Sequence, residues 1–385
     1  LEALGHVVDV DPTDVAVRLQ LAAIYADESP RSPLALANHR AIVDLDTTQA
    51  PSVRALAQSF LDHGAIDHAR CCYELLGVLG LASDEDAAFL ERHPRPAMRA
   101  DEPYPGTIGD GERGRLLAHP EARALAEVFA TIWEGVNDLG GPSLETFGVG
   151  AGDRVSTIAD HDLAKIYGQL GKAFGNQKVS LYVNPDHGFG EVGIATTRPP
   201  SIVVPAHFAN DLPDLVLRFQ LAKALELARP ESILAATVKP REFATLFGSL
   251  LKAFHPRHAR RRAGASDPAT EAAAKLKKAL PYKVSKRLAE LFQSMAAEPF
   301  SSARWRAVVD ETGNRAGLIA CGDLETAVRI VAANALGKAP HAITAEELRT
   351  LAGRPGPVRE LLRYAVSDEY FELRTLLGTA VAKAA

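Results

Sequence analysis

Apolar positions recur at helical spacing through most of the chain. Leu125, Val128, Phe129, Ile132, Trp133 and Val136 share one face of a helix predicted over 121–138, which Gly140, Gly141 and Pro142 end. A second helix is predicted over 162–174, closed by Gly175. A third is predicted over 212–229, with Pro213 in its first turn and Pro230 beyond its end. Between these two lie three short β-rich runs, at 178–183, 191–196 and 201–204, the last two split by Arg198-Pro199-Pro200. Further helices are expected at 84–90 and 268–280. The expected class is mainly α: helical hairpins, then a mostly helical α+β domain with a small sheet.

The first part of the chain repeats itself. Leu21, Ala22 and Tyr25 recur as Leu56, Ala57 and Phe60, a shift of 35, and Ala35 recurs as Ala69, a shift of 34. Two antiparallel helices cross closely where one presents a small residue and the other fits an aromatic into the gap. Asp11-Pro12 stands one period before Thr47-Thr48, and His63-Gly64-Ala65-Ile66-Asp67-His68-Ala69 reads as a turn into a second helix. This spacing resembles the tetratricopeptide repeat. The resemblance implies a half repeat and two full ones over 1–80, inside a helical domain spanning 1–92. It places Ala57 opposite Ala69, with Phe60 and Tyr73 packed beside them. So short an array rarely buries a core alone, so it is expected to continue upstream or to pack on the later part of the chain.

Residues 93–114 hold Pro94, Pro96, Pro103 and Pro105 with Gly106, Gly109, Gly111 and Gly114. That composition predicts an extended linker, with 115–385 as the second domain. The run Gly148-Val149-Gly150-Ala151-Gly152-Asp153 lacks the Lys-Ser/Thr of a P-loop and the third Gly of a dinucleotide loop, so it reads as a turn.

The order of elements after residue 150 is informative. A helix, a strand, a second strand, a Pro-bearing turn, the strand Ser201-Ile202-Val203-Val204-Pro205 and a long apolar helix succeed one another. This succession resembles zinc metallopeptidases of the M48 type over about residues 150–380. In that family the long helix carries H-E-x-x-H, two imidazoles one turn apart with a Glu as general base. Here the alignment puts Lys223, Ala224 and Leu227 at those positions. The segment Asp310-Glu311-Thr312-Gly313-Asn314-Arg315-Ala316-Gly317 resembles the later ligand-bearing helix, with Thr312 at the ligand position and Asn314 in place of an Asp. The small-residue helix at 324–336 and the Arg-bearing run Ser367–Gly378 complete the resemblance. Because no ligand or catalytic position matches, it implies a scaffold without its metal: no catalytic residue, no metal ligand and no cofactor.

Other chemistry is weaker. His161, His187, His207, His255 and His258 form no i, i+4 pair on a helix, so a rearranged metal site would draw on scattered histidines. There is no G-x-S-x-G elbow. Cys71 and Cys72 lie on a repeat helix, and Cys321 precedes Gly322-Asp323 at a predicted helix start, where a thiol pKa is lowered.

Composition narrows the classes. The 385 residues are 47% hydrophobic and 24% charged, ordinary globular values, and no apolar run reaches the roughly 18 residues of a membrane helix. Three cysteines exclude a disulfide framework and point to a reducing, cytoplasmic compartment. The chain starts at Leu1 with no basic and apolar leader, which reads as a processed chain or a fragment. Net charge is −5, but residues 252–287 carry eleven Lys or Arg against two acids. Arg257, Arg260, Arg261, Arg262, Lys275 and Lys278 are the candidate anion contacts there, with a solvated linker and a charged helix face as the plainer reading. Few aromatic rings interleave them, which argues against nucleic acid and leaves an acidic protein surface.

The sequence therefore leads to a non-catalytic protein-interaction or scaffold module with a protein partner. A hydrolase with a rearranged metal site and an anion-binding adaptor acting through 252–287 are the alternatives.

Overall fold

The computed structural model describes the chain except residues 1, 30–31, 99–101, 137–139, 157–158, 160, 176–177, 187–189, 191, 210–211, 260–267, 296, 298 and 382–385. The described chain is mainly α-helical with one small three-stranded sheet. It divides into two compact units, residues 1–106 with 321–385, and residues 107–320.

The first unit opens with α1 (Glu2–Val10), α2 (Val15–Glu28), α3 (Pro33–Leu45), α4 (Ala50–Asp62), α5 (Ile66–Val78) and α6 (Asp84–Arg92). Each packs on the next, so the run is a series of antiparallel hairpins. Local chemistry sets the starts. Asp14 accepts the Val17 N–H at the head of α2, prolines stand in the first turns of α3 and α4, and Ser83 and Asp86 form a reciprocal capping box on α6. Leu21, Ala22, Leu56, Ala57 and Ala69 are buried; Tyr25 and Phe60 are half-buried. The Phe60 ring lies against His68 and Phe371, and the Tyr73 ring against Phe89.

The second unit begins inside the expected linker. Ile108 is buried and its N–H donates to the Ala173 carbonyl at 2.7 Å. Next come α7 (Asp110–Glu112), a π turn over Arg113–Leu117, α8 (Ala122–Gly135) and α9 (Asp162–Ala173). The run from Gly148 to Asp153 is a turn, in which the Gly150 N–H donates to the Asp153 carboxylate at 2.7 Å. The sheet comes after α9: β1 (Ser180–Asn184), β2 (Gly193–Ala195) and β3 (Ser201–Pro205), in the order β1-β3-β2. The buried β3 is central, parallel to β1 with Leu181 opposite Ile202, and antiparallel to β2 with Ile194 opposite the same residue. The rest is helical: α10 (Asp214–Leu227), α11 (Ile233–Thr237), α12 (Pro240–Phe254), α13 (Pro256–Ala259), α14 (Pro268–Ala279), α15 (Tyr282–Ser294) and α16 (Ser302–Cys321). Phe129 of α8 stacks on Phe243, Phe247 and Trp305, which joins α8, α12 and α16 in one aromatic core.

The chain then returns to the first unit through α17 (Leu324–Leu336), α18 (Ala345–Ala352), α19 (Pro357–Ala365) and α20 (Asp368–Leu376). Asp323 caps α17 and Gly337, at φ +65°, ends it. These helices do not pack as the end of a single domain over 115–385. Long-range polar contacts hold them on the hairpins: Arg374 grips Asp67 through two hydrogen bonds of 2.9 and 2.7 Å, Arg349 donates to the Leu79 carbonyl, and Arg359 to that of Leu45. The Phe371 ring stacks on His68 at 4.0 Å. A short array thus gains the extra apolar cover it needs from the other end of the sequence.

Candidate functional site

In the second unit, α10 and α16 meet across two glycines of α16. A Cβ on Gly317 would come within 2.6 Å of the buried Phe219 ring, and one on Gly313 within 3.1 Å of Leu227 and 3.2 Å of Lys223. Only hydrogen at these positions lets the helices approach so closely. The approach brings Lys223 and Leu227 of α10 beside Gly313 of α16, the residue after Thr312.

Their chemistry is not that of a metal centre. The Lys223 ammonium sits 2.6 Å from Asp310 Oδ1 and donates to Asn314 Oδ1 at 2.8 Å. The Asn314 amide donates in turn to Asp310 Oδ2 at 3.1 Å, which closes a three-residue ring. The Thr312 hydroxyl donates to the Val308 carbonyl at 2.9 Å and accepts the His119 backbone N–H at 3.0 Å. Ala224 is buried and offers no donor atom, and Leu227 offers carbon only. A zinc ion needs lone pairs from imidazole, thiolate or carboxylate. The residues present supply an ammonium instead, so they do not fit the metal. Among the described residues no three His, Cys, Asp or Glu side chains gather as a metal site.

Around this ring lies a larger charged cluster. Arg113 and Glu226, both buried, form an ion pair, and Arg113 also donates to the Phe174 carbonyl. Burial pushes the Glu226 carboxyl above the ordinary carboxylate range, opposed by the neighbouring Arg113 and Arg229. His119 lies 3.5 Å from Glu311, which also accepts from Arg304 at 3.0 Å, and Arg304 makes a two-pronged contact with Glu121. Arg113, His119 and Glu226 escape sequence reasoning. Arg113 sits in a Pro/Gly-rich stretch, and its partner stands 113 positions away. The i, i+4 spacing of Asp310 and Asn314 was the one local signal, since it puts two oxygen acceptors on one helix face.

The remaining candidates are dispersed. His161 caps α9, accepting the Ala164 N–H; His207 lies in a short 3-10 turn beside Phe208; His255 is buried between the Phe292 and Phe300 rings. His187 and the His258 side chain lie outside the described residues. Cys71, Cys72 and Cys321 are buried and form no disulfide among the described residues. Cys321 closes α16 two residues before Asp323 caps the start of α17, and burial pushes its thiol up to about 12, which leaves it inert at neutral pH. Of the basic candidates, Arg257 reaches the Ala297 carbonyl, Lys275 pairs with Glu271 at 2.7 Å, and Lys278 is exposed. Arg260, Arg261 and Arg262 lie outside the described residues.

No family model, curated protein or solved structure matches this chain.

Proposed function

We propose that the chain is a non-catalytic protein-interaction module. Residues 1–92 would be a tetratricopeptide-like array, and about residues 150–380 would derive from a metallopeptidase-like scaffold whose metal position is taken by Lys223. The ring of Lys223, Asp310 and Asn314 carries this reading. It sets the Lys223 ammonium, matched by the Asp310 carboxylate, where the resemblance calls for a dication, and it holds no lone-pair donor set for a water-activating ion. The helical hairpins supply the partner surface, and a protein partner fits them better than a small substrate. Three buried thiols are in keeping with a reducing, cytoplasmic setting. No described helix is long and apolar enough to cross a membrane.

One observation favours the adaptor reading as a second choice. Lys278, Lys283 and Lys286 are exposed around the turn between α14 and α15, and Tyr282 between them is 81% exposed. Such a corner suits an acidic protein surface.

The test is a gain of metal binding. The wild-type chain is expected to bind no stoichiometric zinc and to cleave no member of a quenched-fluorescent peptide library. The triple variant Lys223→His, Leu227→His, Thr312→Glu restores three donors and is expected to bind one zinc per chain. Zinc in the wild type overturns the pseudoenzyme reading. A folded triple variant without zinc overturns the scaffold resemblance.

A further inference from the structure

A cleft of about 590 Å³ lies within the second unit, bordered by α8, the Asp110–Leu117 stretch, the end of α10 and α16. Its size falls in the range of small-molecule sites. Ala122, Ala126 and Ala130 form part of its lining, three small residues at i, i+4 and i+8 on one face of α8. Small side chains there leave room that larger ones would fill.

Two further lining residues point to a ligand. Trp305 is 3% exposed and its ring is stacked on Phe129 at 5.3 Å, yet its indole N–H meets no acceptor among the described residues. Arg113 is 5% exposed. It spends one terminal nitrogen on Glu226 and the other on the Phe174 carbonyl, while its Nε–H meets no acceptor among the described residues. Buried N–H groups are rarely left without acceptors. Two of them on residues lining the same cleft call for acceptor atoms that the described protein does not provide.

The charge of the lining narrows the ligand further. Five carboxylates face three guanidiniums. The Arg113 charge is already matched by Glu226, and Arg229 by Glu231 and Asp110. An anionic ligand would meet an excess of negative charge, and the two open donors need oxygen lone pairs rather than a countercharge. We propose that this cleft binds an uncharged, largely apolar small molecule bearing amide- or ketone-type oxygens, which accept from Trp305 Nε1 and Arg113 Nε.

A neighbouring cavity of about 580 Å³ shares Arg123, Glu127 and Trp305 with the cleft, so the test must separate the two. The chain has two tryptophans, and Trp133→Phe assigns the indole N–H resonance of Trp305 in ¹⁵N-labelled protein. The probes are a panel of neutral aryl amides and ketones headed by acetanilide, each matched to a carboxylate such as phenylacetate and a hydrocarbon such as propylbenzene. Neutral carbonyl compounds are expected to move the Trp305 resonance saturably and to raise Tm. They should bind at least tenfold more tightly than both matched analogues. Trp305→Phe keeps an aromatic ring and loses the donor, so it should weaken their binding at least tenfold. Ala126→Leu, at a half-buried position lining only this cleft, should abolish it; Ser294→Phe, in the neighbouring cavity, should not. Melting curves check that each variant is folded. Equal binding of hydrocarbons, tighter binding of carboxylates, no saturable shift across the panel, or loss on Ser294→Phe alone overturns the proposal.

Discussion

Two buried arginines, one in each unit, are used differently. Arg374 of α20 is 1% exposed and its charge is fully engaged: Nε and Nη2 donate to Asp67, Nη2 also to the Thr379 carbonyl, and Nη1 to the Tyr370 hydroxyl. Arg113 is 5% exposed and its Nε–H meets no acceptor among the described residues. A saturated buried cation is a structural rivet, because each donor that lost water has regained an acceptor. An unsaturated one beside a cleft keeps capacity for something else. The same residue type thus serves closure in one unit and availability in the other.

The largest expected effect tests that contrast. Asp67→Ala leaves the Arg374 charge buried without its carboxylate and should cost about 3–5 kcal/mol in chemical denaturation. Glu226→Ala should cost less, about 1–3 kcal/mol, because Arg113 borders an open cleft that admits water. Equal losses would erase the distinction between the two arginines.

Next is the glycine crossing. Gly317→Ala drives a methyl against the buried Phe219 ring and should cost about 1–3 kcal/mol by overpacking. A Tm equal to wild type would mean that α10 and α16 do not cross there. Lys223→Met should be milder, about 0.5–1.5 kcal/mol, since Asp310 is half exposed and is rehydrated when its partner goes.

The smallest effect is a pH dependence confined to the first unit. Half-burial holds the His39 and His68 imidazoles below the usual value of about 6.5, because it strips water from the charged form. The unfolded chain therefore binds more protons in this window, and stability should fall as pH drops below about 6.5 and level off above it. His68→Gln should flatten that slope. An unchanged slope would assign it to other groups.

Much of the local structure was legible. The helix at 162–174 appears almost as its apolar spacing predicts, as Asp162–Ala173, with the His161 side chain capping its start. The three strands arise from β-rich runs separated by turn residues. What eluded the sequence was long-range. Nothing near Arg374 announces Asp67, 307 positions away, so the return of residues 321–385 to the first unit could not be read from spacing. Composition also misled at 107–114, where glycines and charges read as a linker but Ile108 and Arg113 are buried. The ring of Lys223 with Asp310 and Asn314 needed the crossing of two helices, which no local spacing announces.

The division of the chain bears on its synthesis. The hairpin helices leave the ribosome first, but the helices that complete their unit are made only after residues 107–320. At about 5–20 residues per second, that interval lasts roughly 10–40 seconds. During it the faces of α4 and α5 that later meet Phe371 and Arg374 lack their own cover, and closing so long a loop is entropically slow. A nascent chain arrested near residue 320 should therefore carry a first unit that is cut by protease more readily than that of the full chain.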